Sequence, residues 1–221
     1  MRAIIMADGK ADRWNSDAQG TELEGIEKQL VPINGEPILH RTVRLLKENG
    51  ITDIWITSHN PEFEVEGTTR YEPENNIYEI DKLLSCKPIW QSPTMFLYGD
   101  VFYSEEAMKT IVETPILDRW LFFGRFHVSY YTGHGGELFC KKIEDLDYLE
   151  ACCNWVKSWY FVGKGRGGGW ELYRRMAGVI DDRVNVHVPY DHFVGIDDYT
   201  DDFDFPWIYF NVKEKYENSN C

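Results

Sequence analysis

What the chain has least of is positive charge. Its 221 residues carry 37 Asp and Glu against 23 Lys and Arg, a formal net charge of −14 with a pI near 4.8. General nucleic-acid binders and proteins held to anionic membrane surfaces need a basic face, so this balance argues against both. Long apolar runs are missing too, since no stretch approaches the roughly 20 residues that a membrane-spanning helix needs. Asp8 and Lys10 interrupt the N-terminal apolar run, and no signal peptide is expected. Cysteine is sparse: five residues, an odd number, with Cys152 and Cys153 adjacent. Such a set makes no disulfide framework and fits reduced thiols in the cytoplasm. Neither a Cys-x-x-Cys pair nor a His-Glu-x-x-His helix occurs, which argues against a structural zinc site. None of the six histidines sits in an obvious pair.

What is present starts at the N-terminus. Arg2-Ala-Ile-Ile-Met6 is a short apolar run with β-branched residues, the pattern of a buried strand. It leads into Ala7-Asp-Gly-Lys-Ala-Asp-Arg-Trp14, where small residues would let backbone N–H groups approach phosphates. Arg13 and Lys28 add two cations to the same place, conspicuous in so acidic a chain. Pro37 suits a first helical position, Leu39, Val43 and Leu46 line one helix face, and Gly50 stops it. Ile51 to Thr57 is then a second strand. This strand–helix–strand order predicts a parallel sheet with a right-handed crossover.

The strand, the loop through Arg13 and the later Lys28-Gln-Leu-Val-Pro-Ile-Asn-Gly-Glu-Pro-Ile-Leu39 resemble the nucleotidyltransferase (NTP transferase) family. Met6, Ala7, Gly9, Ala11 and Arg13 fall on its L-A-x-G-x-G-x-R pattern. Lys28, Leu30, Pro32, Gly35, Pro37 and Leu39 fall on its K-x-L-x-P-I-x-G-x-P-I-L pattern. Two residues depart from it: Asp8 stands where a small residue is usual, and Ala11 replaces a Gly. The resemblance implies a Rossmann-like, three-layer α/β/α fold with a mixed, mostly parallel sheet. It implies a single domain over 1–221, with a nucleotide-binding half (1–115) and a half (116–221) that carries the acceptor side and completes the metal site. It implies Mg²⁺-dependent transfer from an NTP to a small phosphorylated acceptor, a sugar 1-phosphate or a choline-phosphate-like compound, with release of pyrophosphate. On that reading Arg13 and Lys28 are catalytic, and Ala7, Asp8, Gly9, Lys10, Ala11 and Asn76 bind nucleotide. A glycosyltransferase on the same fold and a non-catalytic nucleotide-binding protein are the alternatives. Nucleic acid and membrane are not expected as partners, and a homo-oligomer is compatible with the reading.

The remaining segments are placed around this site. Ser16 to Glu27 is polar and Gly-containing, and is expected to form a mobile flap, with Lys28 adding little to packing. Thr68 to Tyr71 is expected to be a short strand. Asn75-Asn-Ile-Tyr78 is expected to open a helix with Ile77, Ile80, Leu83 and Leu84 on one side, either over the nucleotide base or as a plain Asn cap. Thr94-Met-Phe-Leu-Tyr98 is a strand that delivers Gly99-Asp100 at its carboxyl end, where open α/β sheets place ligands. The resemblance makes Asp100 a Mg²⁺ ligand. Aromatic strands are expected at 120–124, 127–131 and 137–143, a helix at 145–156 and a strand at 184–188.

Gly163-Lys-Gly-Arg-Gly-Gly-Gly169 lacks the Gly-Lys-Ser/Thr ending of a phosphate loop and is expected to be a flexible surface loop, with a phosphate contact from Lys164 or Arg166 as the alternative. After it, Trp170, Tyr173 and Met176 form a packed helical face. Gly195-Ile-Asp-Asp-Tyr-Thr-Asp-Asp-Phe-Asp-Phe-Pro206 is not a calcium-binding EF-hand loop. It resembles the family's D-x-D-T-P segment, with Asp202 and Asp204 in the Asp places. The resemblance makes Asp204 the second metal ligand and leaves Asp202 as the alternative.

Overall fold

The computed structural model describes residues 1–179 and 190–219, so the strand expected at 184–188 lies outside the described residues. The chain opens with β1 (Arg2–Met6), α1 (Asp12–Asp17), the short strands β2 (Pro32–Ile33) and β3 (Glu36–Pro37), and α2 (Ile38–Glu48). There follow β4 (Ile54–Thr57), β5 (Thr69–Tyr71), α3 (Glu79–Ser85), β6 (Thr94–Tyr98), β7 (Val101–Phe102) and α4 (Glu105–Glu113). The last elements are β8 (Trp120–Gly124), β9 (Leu138–Ile143), α5 (Leu146–Phe161), α6 (Gly169–Met176), β10 (Phe193–Gly195), β11 (Asp201–Asp202) and α7 (Pro206–Ser219).

Seven strands form one sheet in the order β10-β8-β9-β6-β1-β4-β5. Only β9 runs against its neighbours; the pairings β1–β4, β1–β6, β4–β5 and β10–β8 are all parallel. The mixed, mostly parallel sheet expected from the sequence is therefore present. Side chains alternate across a strand, so β1 sends Ala3 and Ile5 to one face and Ile4 and Met6 to the other. On the first face they pack with Leu39, Val43 and Leu46 of α2 and Ala107, Met108 and Ile111 of α4. On the second they pack with Ile80 and Leu83 of α3, Leu149 and Val156 of α5, and Leu172, Tyr173 and Met176 of α6. Helices on both faces make the three layers, and they explain why β1 is apolar from Ala3 to Met6 instead of alternating.

The same alternation explains two consecutive lysines on the buried strand β9. Lys142 Nζ donates to the carbonyls of Ile111, Val112 and Thr114 at 3.1, 3.2 and 2.5 Å, satisfying the carboxyl end of α4. Lys141 points to the opposite face, where it meets Glu79 and Tyr98.

Several local expectations change. Residues 127–131 form a loop and not a strand, because the Ser129 hydroxyl takes the amides of Tyr131 and Thr132 and turns the chain. The second strand starts at Ile54, and Pro37 caps α2 from an extended conformation instead of occupying its first turn. Asn75 accepts from the amide of Ile77 inside the loop, so it is not the cap of α3, which starts at Glu79. Ile77 is 61% exposed and does not join Ile80 and Leu83.

Candidate active site

A third apolar cluster lies beside the sheet. It joins Trp14 of α1, Ala18 and Leu23 of the expected flap, Val31, Ile33, Phe102, Phe203, and Ile208, Tyr209, Val212 and Tyr216 of α7. The segment from Ser16 to Glu27 is thus packed: Leu23 is buried, and the Trp14 indole donates to the Ile26 carbonyl at 2.9 Å. This cluster fixes four charged side chains that are remote in sequence. Arg13 precedes Trp14, Lys28 stands three residues before Val31, Asp100 two before Phe102, and Asp204 directly follows Phe203. Each is a chain neighbour of an anchored apolar residue, which is how a fold holds polar groups in place.

The four meet at the carboxyl ends of β1 and β6. Lys28 Nζ lies 2.5 Å from Asp100 Oδ2 and 3.4 Å from Asp204 Oδ1, and Arg13 Nη2 lies 2.5 Å from Asp204 Oδ2. Gly99 lets the two strand ends converge, since a Cβ there would sit 2.8 Å from the Ala7 Cβ and 3.0 Å from the Met6 carbonyl oxygen. Phe205, standing where the resembling motif has Thr, lies with its ring under the Arg13 guanidinium, 5.4 Å from the ring centre. The group borders a cleft of about 480 Å³ lined by Met6, the loop from Gly9 to Trp14, Lys28, Gln29, Ile77, Glu79, Lys82, Tyr98, Asp100 and Asp204.

Burial and charge oppose each other here. Burial alone would lower the Lys28 pKa, but Asp100 foremost, then Asp204 and Asp202, holds it above the ordinary lysine value. Burial likewise would raise Asp100, yet Lys28, its own backbone amide and Lys82 hold its carboxyl below the usual range. Lys28 is therefore a structural member of the site as well as a cation. The expectation that it adds little to packing is corrected by its burial (6% exposed) and its two ion pairs.

The acidic stretch resolves into individually partnered residues. Asp197 accepts from Ser129 Oγ at 3.0 Å and pairs with His127, while Asp198 takes the Ser104 hydroxyl at 2.5 Å and the Thr200 amide at 2.6 Å. Asp201 forms a fully buried pair with Arg125 at 3.0 Å and also holds Thr132 and His134. Asp202 Oδ1 is 3.3 Å from His134 Nδ1, whose proton already serves Asp201 Oδ1 at 2.9 Å. That oxygen is buried without a hydrogen-bond partner among the described residues. Burial pushes the Asp202 pKa up to about 6; His134 opposes this, and Asp204, Asp100 and Asp201 add to it.

The buried, unpartnered oxygen belongs to a carboxyl close enough to Asp100 and Asp204 for both to raise its pKa, and carboxylate oxygens are the donors a hard divalent cation takes. His134, Asp201 and Asp202 also bring donor atoms within 4.8 Å of one another. There Asp201 is already neutralised by Arg125, and the trio serves as an internal clasp.

Of the residues expected to form the site, Gly9, Lys10, Ala11, Arg13, Lys28, Asp100 and Asp204 line the cleft. Ala7 packs into the core behind it. Asp8 turns aside, accepting from the His59 amide at 3.0 Å and lying 2.8 Å from His59 Nδ1. Asn76 is half-buried in the loop before α3, and its neighbour Ile77 lines the cleft in its place. Lys164 and Arg166 do not line it either. The backbone amides of Arg166, Gly167 and Gly168 are taken by the Glu171 carboxylate at 2.8, 2.7 and 3.3 Å, so the Gly-rich loop holds its own anion.

Sequence reasoning missed Gln29, Glu79, Lys82 and Tyr98. No local pattern marks them: Glu79 and Lys82 read as polar positions of a helix, and Tyr98 as the last residue of an apolar strand.

No family model matches the chain, and no curated protein matches it. Solved structures match over almost the whole length. A Bacillus anthracis protein assigned as a glucose-1-phosphate thymidylyltransferase aligns with a TM-score of 0.64 at 15% identity, covering 97% of this chain and 94% of its own. The UDP-glucose pyrophosphorylase of Acinetobacter baumannii aligns at 0.61 with 11% identity over 97% and 92%. The CTP:phosphocholine cytidylyltransferase of Streptococcus pneumoniae aligns at 0.54 with 15% identity over 96% and 97%. At such identities the likeness establishes the fold, which is that of the nucleotidyltransferases.

Proposed function

We propose that this protein is a nucleotidyltransferase that joins an NTP to a small phosphorylated acceptor, of the sugar 1-phosphate or choline-phosphate kind, and releases pyrophosphate. One observation carries the reading. Two cations and two carboxylates from four distant segments, Arg13, Lys28, Asp100 and Asp204, converge on one cleft at the carboxyl ends of the strands. That is where open α/β sheets bind ligands. Helices cover the sheet without a span long and apolar enough to cross a membrane among the described residues.

The reaction would be in-line. An acceptor phosphate oxygen attacks the α-phosphorus, a new P–O bond forms, and the bond from the α-phosphorus to the bridging oxygen breaks, its electron pair leaving with pyrophosphate. No proton has to move if the acceptor enters ionised. The barrier is the approach of two anions, so the chain's contribution is positioning and charge. Lys28, held in place by burial, faces charge growing on the α-phosphate oxygens. Arg13, stacked on Phe205 and largely exposed, follows the departing pyrophosphate. Asp100 and Asp204, with Asp202 beside them, would hold Mg²⁺, which supplies Lewis-acid neutralisation of phosphate oxygens.

The test incubates the protein with each of the four NTPs, Mg²⁺ and a panel of small phosphates while pyrophosphate is measured. Acceptor-dependent pyrophosphate release with at least one NTP supports the reading; its absence across the whole panel removes it.

A further inference from the structure

Lys82 lines the cleft without joining the ion pairs of Arg13 and Lys28, and unlike Lys10, the other cation outside those pairs, it is half-buried. It is in the last turn of α3, and its Nζ lies 3.7 Å from where a Cβ on Gly9 would sit. The ammonium is therefore poised over the loop between β1 and α1. It makes no hydrogen bond or ion pair among the described residues. Its nearest candidate partner on the same helix, Glu79, is occupied by Lys141 at 2.8 Å and by the Tyr98 hydroxyl at 2.5 Å. Beneath it, the N–H groups of Gly9, Lys10 and Ala11 donate to no protein acceptor among the described residues.

Arg13 and Lys28 differ in this respect. Both are held by carboxylates at 2.5 Å, so a phosphate reaching them has to displace Asp204 or Asp100. An anion meeting Lys82 displaces nothing. We propose that Lys82 is the first anchor of the triphosphate: with the free amides of residues 9–11 it takes the phosphate oxygens of the incoming nucleotide before Arg13 and Lys28 are released from their carboxylates. This rests on the nucleotidyltransferase reading above and adds a binding residue to it. It also makes binding without a divalent cation depend on Lys82, because in that condition Arg13 and Lys28 remain paired and the remaining cation of the cleft, Lys10, is exposed to solvent, where a charge contact is worth little.

The experiment measures NTP affinity by calorimetry in excess EDTA for wild type, Lys82→Met and Lys82→Arg, with the matching nucleoside as a control. Losing one charge-assisted contact weakens binding by about tenfold to a hundredfold. The expected result is that loss for Lys82→Met, near-normal affinity for Lys82→Arg, and unchanged nucleoside binding in both. Equal NTP affinity for Lys82→Met and wild type overturns the anchor while leaving the function standing. Parallel loss of nucleoside and NTP binding with a lower melting temperature assigns Lys82 a structural role and also overturns it. Failure of wild type to bind any NTP, with or without Mg²⁺, overturns the function and the anchor together.

Discussion

Ala11 sits at φ 52, ψ 30, in the left-handed region, at the position where the resembling pattern has Gly. A Cβ there costs on the order of 1–2 kcal/mol, so the departure in sequence is a strain at the mouth of the cleft and not a change of path. Ala11→Gly should raise stability by up to about 1 kcal/mol after the added chain entropy of Gly is subtracted. Ala11→Val, β-branched, should lower it, and thermal unfolding of the two variants decides the sign. The aspartates make a sharper contrast. Asp100→Asn and Asp204→Asn should each lower turnover by about a hundredfold or more and blunt the Mg²⁺ response. Asp197→Asn, whose parent carboxylate is spent on His127 and Ser129, should leave the Mg²⁺ response in place. Comparable effects in all three would mean that the field of the acidic stretch matters and not specific ligands.

Among the elements, α7 is the one on which the site depends from outside the sheet, because it follows Asp204 directly. It is tied to α2 and α4 through one buried arginine. Arg41 donates to the Tyr103 carbonyl at 3.0 Å, to Glu105 at 2.6 Å and to the Tyr216 hydroxyl at 3.0 Å. Burial would raise the Glu105 pKa, but its own backbone amide and Arg41 hold it below the ordinary value of 4.5. A depressed carboxylate stabilises the fold above the unfolded value, and that contribution is lost as pH falls through the folded one. Between neutral pH and about 4.5 the clamp should be intact, and below that α7 should loosen. Glu105→Gln should flatten the decline of the melting temperature below pH 4.5; an unchanged slope would assign the acid sensitivity to other groups. The hairpin β2–β3 was open to sequence reasoning and went unread: Asn34 (φ 50) and Gly35 (φ 76) form the two-residue turn that an Asn-Gly pair favours between strands. Residues 127–131 misled because aromatic content is shared by strands and by loops held through side-chain hydrogen bonds.

At the scale of the molecule, periodicity and punctuation made the first strand–helix–strand unit legible, through an apolar β1 and a helix closed by Gly50, while the three layers and the mixed, mostly parallel sheet followed from the family resemblance. The candidate site was legible where a side chain is written into a local pattern, as with Arg13, Lys28, Asp100 and Asp204. It was not legible where a residue reaches the cleft through packing alone. Lys82, Glu79 and Tyr98 look like ordinary members of a helix and a strand until α3 is laid against β6, and Lys28 looks like a loop residue until the third cluster closes around it. The central claim is transfer of a nucleotidyl group, and the position of the label tests it most directly. With NTP labelled at the α-phosphate, the account predicts that the label appears in an acceptor-dependent product, while label at the γ-phosphate appears in pyrophosphate. Label from the γ-position in orthophosphate, or α-label remaining in free nucleotide whatever acceptor is supplied, would contradict it.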